Sequence, residues 1–158
     1  HTDMQSSIVG DMLSCGNWAK KALQNPFLHR LYLIGPSKHD LKSVERNKVL
    51  SFSIEELEQG TPIPLETKYP VYISIDKDVL DERYAMTNWN QGDMSLGMLE
   101  DVLAHFLKNC EVIGIDICGD DPDIDDYPTY IKAERINNLS DDALYQTAMK
   151  ILKRRKKK

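Results

Sequence analysis

No apolar run in the 158 residues approaches the ~20 needed to cross a bilayer as a helix, and the opening residues are not expected to act as a secretory leader. Cysteine is scarce. Cys15, Cys110 and Cys118 are odd in number and form no Cys-x-x-Cys pair. They read as free thiols, buried or lining a site, in a reducing cytoplasm. Positive charge is in deficit, with 20 Lys and Arg against 25 Asp and Glu and a net charge of −5. Six of those twenty basic residues occupy the last six positions, Lys153 to Lys158, so the body upstream is more acidic still. Such a body argues against a nucleic-acid surface and leaves room for cations. What remains is the composition of an ordinary globular protein, 41% hydrophobic and 28% charged, without internal repeats. The length suits one domain or a fragment of a larger one, over residues 1–152, followed by a solvated, frayed basic tail at 153–158.

Apolar segments bounded by turn signals occur at Leu31 to Gly35, Val49 to Phe52, Val71 to Ile75 and Val112 to Ile117. Their shortness, β-branched content and near-continuous apolarity predict strands of a parallel sheet covered on both faces. Helical stretches alternate with them. Asn17 to Gln24 is stopped by Asn25-Pro26, and Ile54 to Gln59 ends at Gly60. Leu96 to Lys108 carries an apolar stripe of Leu96, Leu99, Val102, Leu103, Phe106 and Leu107 behind a Ser95 cap. A last helix is expected over Asp141 to Lys153 with Ser140 as its cap. Strand–helix alternation of this kind reads as an α/β sandwich.

In open α/β sheets ligands gather at the carboxyl ends of strands. Asp76 and Asp78 emerge there from the segment Val71-Tyr72-Ile73-Ser74-Ile75, and a spacing of two places both acids on one side of an extended chain. Two like charges this close repel, and each raises the other's pKa unless a cation lies between them. The pair is therefore a candidate metal site; the competing reading is a solvated turn, with Lys77 and Asp81 nearby. His1 and Asp3 repeat the spacing. One imidazole and three carboxylates, if they converge, form a hard, oxygen-rich set that suits Mn²⁺ better than zinc. His29, His39 and His105 are isolated, and Trp18 and Trp89 read either as pocket walls or as packing. Asp116 ends a strand on the same face, where it would orient a ligand from behind or cap a turn.

The segments His1-Thr2-Asp3-Met4-Gln5, Ser14-Cys15-Gly16-Asn17 and Ser74-Ile75-Asp76-Lys77-Asp78-Val79-Leu80-Asp81, in this order, resemble the ureohydrolase superfamily. That superfamily contains arginase, agmatinase and formimidoglutamase, and a less-studied branch that includes peptide arginases. Gly92 through Leu103 and the strand Gly114-Ile115-Asp116-Ile117 are similar to the segments that follow in the family. The resemblance implies a three-layer αβα sandwich with a mostly parallel sheet. It further implies two Mn²⁺ ions, whose bridging hydroxide attacks a guanidinium carbon and releases urea or a related amide. By the same resemblance His1, Asp3, Asp76 and Asp78 match metal ligands, and Asn17 and Cys15 match the loop that grips the substrate. The expected substrate, implied by the resemblance, is a small guanidino compound or a peptide arginine, with no membrane or nucleic-acid partner expected and a homo-oligomer left open.

Departures from the family pattern qualify what is implied. An Asp two residues before His1 and an upstream Gly-Gly-x-His ligand fall before the sequence starts, so an N-terminally incomplete chain is expected. A shuttle histidine position falls near Ala19. The guanidinium-holding Glu falls at Gly119, where the adjacent Asp120 either takes that catalytic place or is one more solvated acid. A second enzyme class fits part of the sequence. Asp76-Lys77-Asp78-Val79 and Gly119-Asp120-Asp121 look like the nucleophile and Mg²⁺ motifs of haloacid-dehalogenase-type phosphatases. A third reading is a non-catalytic arginase-like scaffold.

Overall fold

A computed structural model of the chain describes residues 2–4, 12–39, 48–120 and 125–155. Each of the four apolar runs forms a strand: β1 (Leu31–Ile34), β2 (Val49–Phe52), β3 (Val71–Asp76) and β4 (Val112–Cys118). The chain divides into two compact units, His1–Ile63 and Pro64–Lys158.

In the first unit β1 and β2 pair in parallel, Leu31 opposite Val49 and Ile34 opposite Phe52. Helix α1 (Trp18–Ala22) stops short of the sequence expectation, and Leu23 and Gln24 continue it only as turn. Helix α2 (Ile54–Glu58) starts directly after β2 because Ser53 and Glu56 form a reciprocal capping box. Ser53 Oγ accepts from the Glu56 N–H, and Glu56 Oε2 accepts from the Ser53 N–H at 2.9 Å.

In the second unit β3 and β4 also pair in parallel, with Ser74 opposite Asp116 and Asp76 opposite Cys118. The described residues thus form a mixed α/β structure with short parallel sheets. The expectation of strands covered on both faces is corrected. Tyr72 is 60% exposed and Ile113 66%, whereas Ile75 is buried. Side-chain direction alternates along β3, so Ile73 and Ile75 share one face and Tyr72, Ser74 and Asp76 the other.

Helix α3 (Leu96–Asn109) follows the predicted stripe, with Leu99, Leu103, Phe106 and Leu107 buried and Ser95 Oγ accepting from the Met98 N–H. Helix α4 (Tyr127–Arg155) corrects the sequence reading most. It runs 29 residues, about twice the expected length, and passes straight through Ser140. Its N-terminus is held by Asp126, whose Oδ1 accepts from the Thr129 N–H at 3.0 Å. Its buried face is Ala133, Asn137, Ser140, Leu144 and Ala148, a helical stripe with two polar members. Those two break the apolar periodicity and suggest a terminus where none exists.

Both polar members serve a neighbouring loop. Asn137 accepts from the Met86 N–H at 2.8 Å and donates to the Met86 carbonyl at 2.9 Å. Ser140 Oγ donates to the Tyr84 carbonyl. They satisfy backbone groups that would otherwise be stranded. The basic tail is also corrected in part: Lys153 to Arg155 are helical, and Arg155 donates to the carbonyl of Cys110 at the end of α3. Residues 156–158 lie outside the described residues. No helix among the described residues is long and apolar enough to cross a membrane.

Replacing Asn137 with Ala would leave the half-buried N–H and carbonyl of Met86 without their Asn137 partner. A loss of about 2–3 kcal/mol in urea-unfolding stability is expected, against less than about 0.5 kcal/mol for Asn138→Ala on the exposed side.

Candidate functional site

Asp76 is the last residue of β3 and caps a single 3-10 turn, Lys77–Val79, with Oδ1 accepting from the Asp78 N–H at 3.0 Å. Asp78 is only 5% exposed. Its carbonyl accepts from the Gly92 N–H at 2.6 Å, and the Val79 carbonyl accepts from the Met94 N–H at 3.1 Å. The returning loop thereby clasps the turn from outside. The two acids of the Asp-x-Asp motif are accordingly brought together by local geometry at the carboxyl end of the strand.

The partner strand contributes close approach. Beyond Cys118 the chain turns at Gly119 with φ +97°, a conformation that side chains rarely adopt. A Cβ there would lie 2.9 Å from both Asp76 Oδ1 and the Lys77 nitrogen. Burial pushes the Asp76 carboxyl above the ordinary carboxylate range. The Asp78 N–H bond opposes that shift and the Asp78 charge adds to it.

On the same face, Tyr72 and Ser74 both direct hydroxyls at Asp116. Ser74 Oγ donates to Asp116 Oδ1 at 2.8 Å, and the hydrogen bond to Asp116 raises the Tyr72 phenol above its usual value. Asp116 is thus held from two sides within the row that leads to Asp76. The third acid of the motif has a different fate. Arg83 Nε donates to Asp81 Oδ1 at 2.7 Å, and this contact holds the Asp81 carboxyl below its ordinary range.

Lys77 is the site residue that sequence reasoning passed over. Its side chain is fully buried, with Nζ 2.6 Å from Asp120 Oδ1 and 3.0 Å from Asp141 Oδ1. A lysine between two aspartates reads as a solvated turn. Its partners lie far along the chain, so no local pattern signals its burial. Asp120, the expected partner of a substrate cation, therefore meets a cation of the chain itself, while 68% of its side-chain surface stays exposed.

In the first unit the Asp3 backbone adopts φ 52°. Trp18 Nε1 donates to Asp3 Oδ2 at 2.7 Å, and the Lys20 N–H donates to the Asp3 carbonyl. Trp18 thus serves to anchor Asp3. Asn17 is buried, and its amide stitches its own loop: Oδ1 accepts from the Ser14 N–H and Nδ2 donates to the Met12 carbonyl. The loop so fixed presents Cys15 as an exposed thiol. His1 lies outside the described residues. Among the described residues, no three His, Cys, Asp or Glu side chains cluster in a way that could hold a metal ion.

Two expectations follow. Because the folded pKa of Asp76 lies above its unfolded value, the folded chain holds more protons between the two values, and stability falls as pH rises through that window. Without metal, Asp76→Asn should therefore raise the melting temperature near pH 7, with the difference vanishing below about pH 3, where both states are protonated. Gly119→Ala should cost about 1–3 kcal/mol in unfolding measurements, from the strained φ and the contact with Lys77.

No family model matches the chain. A protein of Thermotoga maritima, described as an uncharacterized protein, is 32% identical over 127 residues, or 80% of this chain. The chain spans about half the length of that relative, 48% of it.

Proposed function

We propose that the chain forms part of a metal-dependent hydrolase of the ureohydrolase type, cleaving a linear C–N bond of a guanidino group. The observation that carries this reading is the Asp76–Asp78 pair, closed by one turn at the carboxyl end of a parallel strand. In this reading the short parallel sheets belong to a three-layer αβα sandwich.

The donor set fits a hard divalent cation. Both donors are carboxylates, Asp78 is buried, and Asp76 resists ionisation because of burial and a neighbouring negative charge. A bound cation would relieve both penalties, and oxygen-only donors favour manganese or magnesium over softer ions. Asp76 and Asp78 would hold manganese. When bound, manganese supplies Lewis acidity that makes water a competent attacking group at neutral pH. The chain's own residues do the rest. Asn17 fixes its own loop, which presents Cys15 as an exposed thiol. Asp120 is the candidate partner of the substrate's guanidinium, which would compete with its ion pair to Lys77. The substrate is a free guanidino compound or a peptide arginine.

One observation favours the phosphatase reading as well. The parallel pairing of β3 with β4 sets Gly119, the first residue of the Gly-Asp pair, directly beside Asp76, in line with a Mg²⁺-assisted aspartyl-phosphate mechanism. Against it, Lys77 occupies the Asp120 carboxylate that such a site would turn toward magnesium.

The test is a manganese titration combined with urea release from free arginine and from an arginine-containing peptide. Asp76→Ala is expected to lose manganese binding and urea release together. Full manganese retention in that variant would refute the assignment, and magnesium-dependent phosphate release without urea release would select the phosphatase.

A further inference from the structure

We infer that Lys77 is a positioning residue for the Asp76–Asp78 pair, tethering their shared turn from behind to the chain after β4 and to helix α4. Its use rests on the metal-site reading above, while its geometry stands apart from it. The Lys77 side chain is fully buried, and Nζ is gripped by Asp120 at 2.6 Å and by Asp141 at 3.0 Å. Those acids lie 43 and 64 residues further along the chain. The backbone of the same residue is pinned as well. Its carbonyl accepts from the Leu80 N–H at 3.0 Å, and its nitrogen packs against Gly119 so closely that a Cβ there would lie 2.9 Å away. A lysine stem is long enough to carry its ammonium to water, and in most proteins it does. Here it turns inward. The residue on either side of it is one of the two candidate ligands, so any freedom in Lys77 is transmitted to Asp76 and Asp78 through a single peptide bond each.

A purely electrostatic role predicts the opposite outcome to positioning. Removing a positive charge next to a cation site makes that site more negative and should tighten divalent-ion binding. Removing a tether should weaken it, in the way that partners behind metal ligands do, by about tenfold or more. The sign of the change separates the two.

The experiment uses the whole 158-residue chain and the variant Lys77→Met, which keeps the stem and loses the charge. Amide hydrogen exchange is measured without metal. Exchange at Asp78 and Leu80, whose N–H groups close the turn, is expected to accelerate about tenfold relative to the β3 amides of Ile73 and Ile75. Manganese affinity, read from the paramagnetic signal of the free ion, is expected to fall about tenfold. Unchanged exchange at Asp78 and Leu80, or tighter manganese binding, overturns the inference. If Lys77→Met does not fold, Asp141→Ala decides instead, since it removes one grip and leaves Asp120 in place. It should shift both readouts in the same direction by about threefold, and no shift overturns the inference. A parent chain that binds no manganese sinks the metal reading alone, because the exchange measurement still judges Lys77.

Discussion

An ammonium group taken wholly out of water is tolerated only when oppositely charged groups surround it, and Lys77 sets that demand on the second unit. Asp120 and Asp141 meet it from separate parts of the chain. The demand fixes Asp120, just after β4, and Asp141, midway along α4, against the turn that follows β3. The cost is shared with water, because both acids keep part of their surface exposed. An ion pair of this kind contributes little net stability and much specificity of place. What it places is the turn carrying Asp76 and Asp78.

The second determinant is the parallel pairing of β3 and β4. Register puts Tyr72, Ser74 and Asp76 beside Gly114, Asp116 and Cys118. The Tyr72 ring lies over Gly114 so closely that a Cβ there would collide with it. A single face thus carries an aromatic cover, a carboxylate held by two hydroxyls, and then the half-buried acid at the strand's end. The polarity of this face rises toward the carboxyl terminus of the strands, where α/β sheets concentrate their chemistry.

Much of this was legible in the amino-acid order. The four strands, the Ser95 cap and the apolar stripe of α3 follow from local rules that need no knowledge of the rest of the chain. The nearness of Asp76 and Asp78 comes instead from a 3-10 turn capped by Asp76, where the spacing of two suggests an extended chain. Three features were not legible, for one common reason: each is a polar residue whose partner is distant in sequence. Asn137 and Ser140 look like helix breakers until the Tyr84–Met86 backbone is beside them. Lys77 looks solvated until Asp120 and Asp141 arrive. Tyr72, read as part of a buried run, is exposed, with its hydroxyl turned to Asp116. His1 falls outside the described residues, and Asp3 is held by Trp18, a contact that no spacing rule anticipates.

The contacts of α4 with the segment after β3 occur in a strict order. Asn137 meets Met86, Ser140 meets Tyr84, and Asp141 meets Lys77. Positions 137, 140 and 141 lie along one ridge of the helix, so a slip of a single residue would rotate all three away together. Such a seam has no half-fastened arrangement. Loosening it should behave as one cooperative step and not as gradual fraying, and the acids at its far end would sense the helix either in register or not at all.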